Sequence, residues 1–104
     1  MRTSINIGKE FSKYPAGRYP NDGKYNGETF RKKYLLPYIL ANKVTDIFLD
    51  DALDYGSSFL EEAFGGLIRI EGITRETAHQ LLKFHTENRI LEEEIWQCID
   101  NAIE

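Results

Sequence analysis

The chain has 104 residues, 41% hydrophobic and 29% charged, which is enough apolar material for one core and too little chain for two domains. Its formal charge of −4 conceals a polarity: residues 1–43 carry nine Lys or Arg against three Asp or Glu, and residues 44–104 carry four against fourteen. One domain over 1–104 is expected, and the acidic half, which repels phosphate, disfavours a nucleic-acid binder.

In chain order, Ile5 and Ile7 alternate with Asn6 and Gly8 and lead to Phe11, the period of a strand with one buried face. Pro15, Gly17, Pro20, Gly23 and Gly27 then mark a loop. Phe30, Tyr34 and Tyr38, with Leu35, Ile39 and Leu40 beside them, predict an amphipathic helix over about 28–41. Pro37 within it lacks an amide donor and predicts a kink or an early stop. Residues 44–49 are β-branched and aromatic and read as a central strand buried on both faces.

Ser58 and Glu61 match a capping box, opening a helix whose inner face is Leu60, Ala63, Phe64, Leu67 and Ile68. Gly65 and Gly66 within that helix cost about 1 kcal/mol each relative to alanine, which implies a close approach there. Thr74 is placed to cap a further helix with Ala78, Leu81 and Leu82 inside, and residues 83–86 read as a last strand. Leu91, Ile95, Cys98, Ile99 and Ala102 define a C-terminal helix. The order predicts an α/β fold, a single small domain with a mixed or mostly parallel sheet packed by about four helices.

Material for catalysis is sparse. Ser57 and Ser58 follow a glycine but lack the nucleophile-elbow pattern of hydrolases. The lone Cys98 cannot form an internal disulfide, and with His79 and His85 it makes no zinc set. Asp50, Asp51 and Asp54 follow the central strand, where α/β folds place ligands, yet they fit a solvated turn better than a metal site. No enzyme, metal or cofactor is expected. No apolar run reaches the roughly 18–20 residues of a membrane span, and no secretory pattern opens the chain, so the cytoplasm is the expected location and no membrane partner is expected.

The loop around Arg18 matches no nucleotide fingerprint, although Arg18 could grip a phosphate or carboxylate. Pairing with Asp22, or with an acid of the other half, is the competing role. With Ser58 as N-cap, Ser57 would sit just outside the helix, exposed and near free amides and the positive end of the helix dipole.

The segments Ile47-Phe48-Leu49-Asp50 and Ser57-Ser58-Phe59-Leu60-Glu61-Glu62-Ala63-Phe64-Gly65-Gly66-Leu67-Ile68-Arg69 resemble the STAS-like domains of bacteria and phages, relatives of the STAS domains of anti-sigma-factor antagonists. Gly17-Arg18, Asp22-Gly23, Gly27-Glu28, Phe30-Arg31, Leu36-Pro37 and Glu94-Ile95-Trp96 extend the resemblance over most of the chain. It implies a STAS-like fold and a non-enzymatic signalling domain that switches partners with a histidine-kinase-like ATPase or another regulator. It also implies phosphorylation of a serine at the strand-to-helix turn, by position Ser57 with Ser58 as neighbour. Here Gly56 stands for the family's aspartate and Phe59 for its glycine.

The expected partner surface therefore comprises Asp54, Tyr55, Gly56, Phe59, Glu61 and Glu62, and a homodimer is left open. Phosphoserine adds roughly −1.5 to −2 charges, which beside Asp54, Glu61 and Glu62 favours release of a partner. The alternative is a small anionic-ligand sensor holding phosphate or nucleotide between Arg18, Arg31 and the Ser57 amides. A role in a nucleic-acid complex through Arg31, Lys32 and Lys33 is the third.

Overall fold

Strands β1 (Arg2–Asn6), β2 (Val44–Phe48) and β3 (Leu82–His85) form one parallel sheet in the order β1-β2-β3 in a computed structural model describing residues 2–103. Ile5, Ile47 and Phe84 stand opposite one another across the three strands. Each crossover steps the same way along the sheet, and parallel crossovers share one hand, so the helices gather on one face. Burial follows: Ile5, Thr45, Ile47 and Leu82 face the core, whereas Arg2, Ser4, Lys83 and His85 are exposed.

The central strand is thus not buried on both faces, contrary to its sequence. Phe48 is 40% exposed and stacks on His85 with ring centroids 4.5 Å apart. Asp46, on the same open face, accepts hydrogen bonds from Arg2 Nε at 2.6 Å and Nη2 at 2.8 Å, and lies 2.7 Å from His85 Nε2. Those contacts, Arg2 foremost, hold the Asp46 carboxyl below its usual range against the opposing effect of burial.

The first strand also ends earlier than its alternation predicts. Ile7 and Gly8 belong to a short helix, α1 (Ile7–Glu10), because the Asn6 side chain accepts from the Lys9 amide and starts the turn. Gly27–Phe30, Arg31–Leu35 and Leu36–Leu40 run on as one helix, α2, with a π-helical middle. Pro37 neither stops nor visibly breaks it. The wide π turn upstream already takes the carbonyls out of the register that a proline ring disrupts. Asn42, at φ 58°, turns the chain out of the helix towards β2.

Helix α3 is likewise continuous through Ser57–Leu60, a π segment Glu61–Gly65, and Gly66–Arg69. Residues 62–68 are all buried, so this helix is enclosed on every side rather than amphipathic. Phe30 of α2 meets Phe59 and Phe64 of α3 at centroid distances of 5.6 Å and 6.2 Å. Burying each such ring contributes about 1.5–3 kcal/mol. Helix α4 (Arg75–Leu81) starts at Thr74, whose hydroxyl accepts from the Thr77 amide, and α5 (Arg89–Asp100) starts at Asn88, which accepts from the Leu91 amide. Ile95 and Ile99 close the core from α5.

Candidate functional site

The link from β2 to α3 runs over the carboxyl ends of the strands, the place where α/β folds put ligands and partners. It is firmly held from below. Leu53 and Asp54 amides donate to the Lys13 carbonyl at 2.7 Å and 3.3 Å, and the Gly56 amide donates to the Pro15 carbonyl at 3.0 Å. Tyr55 Oη donates to the Leu49 carbonyl at 2.7 Å, and burial together with Asp50 and Asp51 raises the phenol pKa, so it stays protonated. A side chain at Gly56 would press on Ala16, with its Cβ 3.3 Å from the Ala16 Cα.

At the end of this link Gly56 is the N-cap of α3, and no side chain caps the helix. This corrects the capping box predicted from Ser58 and Glu61. Ser57 and Ser58 are the first two helical residues and both are exposed, so neither hydroxyl is engaged in holding the fold. Glu61 points elsewhere because two arginines claim it.

Arg18 and Arg69 both form ion pairs with Glu61. Glu62, fully buried, accepts from Arg31 Nη1 at 2.8 Å and from Arg69 Nη2 at 3.2 Å, and lies 3.5 Å from Arg18 Nη1. Arg31, also fully buried, gives Nη1 to the Glu62 carbonyl at 2.6 Å and Nε to Glu71 at 2.8 Å. Three arginines and three glutamates thereby form a seam between the two π segments, which begin at Arg31 and Glu61. Burial opposes the Arg31 charge, but hydrogen bonds to Glu62 and Glu71 outweigh it and raise its pKa. Burial would lift the Glu61 carboxyl, and the bonds from Arg18 and Arg69 outweigh that and lower it.

The seam also explains the paired glycines. A Cβ at Gly66 would collide with the Arg31 guanidinium, and one at Gly65 would stand 2.7 Å from Glu61 Oε2 and 3.0 Å from the Cys98 carbonyl oxygen.

Of the expected partner surface, Asp54 is exposed, Tyr55 and Gly56 are half-buried, and Glu61 is half-buried but paired. Phe59 and Glu62 do not belong to that surface, because the ring packs in the aromatic core and the carboxylate is sealed in the seam. Nor do Arg18 and Arg31 form the alternative anion site. Arg31 has no exposed surface, and Arg18 meets acids of the other half while its backbone amide donates to Asp22 at 3.0 Å. The basic patch for nucleic acid shrinks to Lys32 and Lys33, and Lys32 lies 3.8 Å from Glu28.

The three aspartates serve the loops. Asp50 accepts from the Thr86 hydroxyl and the Glu87 amide, Asp51 from Asn6 at 2.7 Å, and Asp54 from the Tyr55 amide at 2.9 Å. Among the described residues no group of three His, Cys, Asp or Glu could hold a metal ion, and no helix is long and apolar enough to cross a membrane. His79 stacks on Trp96 with centroids 4.2 Å apart. Burial raises the Cys98 thiol pKa to about 11, which leaves little thiolate for nucleophilic chemistry.

These features define a small α/β domain with a parallel sheet and an exposed serine pair at the central strand-to-helix turn. The family described as STAS-like domain of unknown function (DUF4325) matches residues 26–89, and the chain belongs to it. The match contains both π segments and the serine pair. Neither a curated protein nor a solved structure matches the chain.

Proposed function

We propose that this chain is a non-enzymatic, cytoplasmic signalling domain that binds a protein partner at the start of α3 and releases it when Ser57 is phosphorylated. The observation that carries the reading is the free, exposed Ser57 hydroxyl at the first position of α3, beside a glycine N-cap. A phosphate there meets unpaired helix amides and the positive end of the dipole, so the fold tolerates it. A partner packed on the start of α3 would have to desolvate roughly −1.5 to −2 added charges, which opposes docking. Glu61 and Glu62 add little to the negative charge there, since arginines neutralise them. The family resemblance favours a histidine-kinase-like ATPase as partner and kinase.

Affinity capture from the source cell, followed by intact-mass measurement, identifies the partner and any phosphate together. The chain carrying authentic phosphoserine at Ser57 is then expected to bind that partner at least about tenfold more weakly than the unmodified chain. Equal affinities would remove the gate and leave an interaction domain.

A further inference from the structure

Beside the serine turn, a groove of about 510 Å³ opens between the β2–α3 link and the start of α5. Its floor is apolar: Leu49, Ala52 and Leu60 lie there with at most 9% of their surface exposed. Each wall presents an uncovered aliphatic side chain, Leu53 at 65% exposure on one side and Ile90 at 76% on the other. Such residues exposed singly are ordinary, but two facing one apolar groove make a surface that gains by being covered.

The rim is of one sign. Asp50, Asp54, Glu87 and Glu94 line it, and no lysine or arginine does. Asp51 next door differs, because Lys9 stands 3.8 Å from its carboxylate. The groove therefore carries part of the acidic excess that the chain's arginines leave unmatched. A phosphate, nucleotide or acidic peptide would meet four carboxylates at close range, while a cationic segment would meet complementary potential.

We infer that this groove receives a basic amphipathic segment of a partner protein, with apolar anchors against Leu53 and Ile90 and lysine or arginine on the flanks facing Asp54 and Glu94. Such segments present apolar residues at i, i+3, i+4 and i+7, and groove binding is their common mode. The inference rests on reading the chain as a protein-interaction domain. Asp54 and Tyr55 line the groove and lead directly into Ser57, so a phosphate there would draw a basic segment more tightly by charge, and release on Ser57 phosphorylation rests on the phosphate obstructing the partner's contact at the start of α3.

The test begins with a random library of peptides about 15 residues long, selected on the intact chain and measured in solution with the enriched sequences. Expected are peptides combining apolar residues at helical spacing with two or more basic residues. Their binding is expected to fall about tenfold or more in Leu53→Ser and Ile90→Ser, and likewise in Asp54→Lys and Glu94→Lys. Amide shifts in the unmodified chain should concentrate at 50–55 and 87–94. Leu53, Asp54, Ile90 and Glu94 are exposed, and unchanged melting temperatures would certify that the variants fold. Enrichment of acidic or uncharged peptides, no enrichment at all, or peptides that bind all four variants equally would overturn the inference.

The same peptides, titrated against the Ser57-phosphorylated chain, separate this inference from the gate. Peptide binding that depends on the groove and is equal or tighter on the phosphorylated chain keeps the groove, and a captured partner whose affinity the phosphate leaves unchanged removes the gate. A captured partner that responds to the phosphate but not to the four variants keeps the gate and overturns the groove.

Discussion

Two regions of this molecule concentrate charge, and they treat it in opposite ways. In the seam between α2 and α3, Arg18, Arg31 and Arg69 are matched with Glu61, Glu62 and Glu71, and Arg31 and Glu62 lie wholly out of water. At the carboxyl edge of the sheet, Asp50, Asp54, Glu87 and Glu94 surround an apolar groove with no basic side chain among them. Both draw on the same sequence polarity. The seam consumes it, since Arg18 and Arg31 come from the basic half and their glutamates from the acidic half, whereas the edge displays what is left over. Charges matched inside position helices, and charges left unmatched outside are available to a partner.

The sharpest way to break this contrast is Glu62→Ala. It removes one of the two carboxylates that hold the buried Arg31 charge, leaving Glu71, and should cost about 3–5 kcal/mol in chemical denaturation. A loss below about 1 kcal/mol would mean that Glu71 alone suffices for Arg31. Phe64→Ala, on the apolar side of the same helix, is expected to lose a similar about 3–5 kcal/mol, since its ring is wholly buried. A folded variant with an unchanged melting temperature would contradict the placement of α3.

Gly66→Val should destabilise by about 1–3 kcal/mol, because its Cβ must displace the pinned Arg31 guanidinium. If valine is accepted at no cost, the guanidinium has another place to go. A smaller effect is set by pH. Glu61 has a folded-state pKa below its ordinary 4.5, so its contribution is present above that value and is lost as pH falls through the lowered one. Acid titration of stability should therefore be shallower in Glu61→Gln than in the unmodified chain. Identical pH profiles would show that the Arg18 and Arg69 pairs add nothing in solution.

At the other end of the scale, Ser57→Ala and Ser58→Ala should each stay within about 0.5 kcal/mol, since both hydroxyls are exposed and neither caps α3. A loss above 1 kcal/mol at Ser58 would restore the capping role its spacing suggests.

That spacing shows where local reasoning ends. Ser58 and Glu61 have the residue types of a capping box, yet Glu61 turns to Arg18, which lies 43 positions away in the chain. Thr74, in contrast, does cap its helix, its hydroxyl accepting from the Thr77 amide and donating to the Thr77 hydroxyl. Gly65 and Gly66 announce a close approach through their helix cost alone, but not that an arginine makes it. Arg31, flanked by Lys32 and Lys33, reads as part of a solvated basic face, and its burial depends on a partner 31 positions on.

What could be read along the chain is whatever depends on near neighbours: apolar periods at 3.6 residues, the Thr74 cap, the order of strands and helices, and the exposed serine after the central strand. These come from interactions spanning a few residues, where the backbone leaves few choices. The open sheet face, the two π segments, the enclosed α3, the arginine–glutamate seam and the acid-rimmed groove all arise from packing elements far apart in sequence. A buried charge needs its partner in place before it can leave water, so which arginine goes inside is settled when α2 and α3 meet.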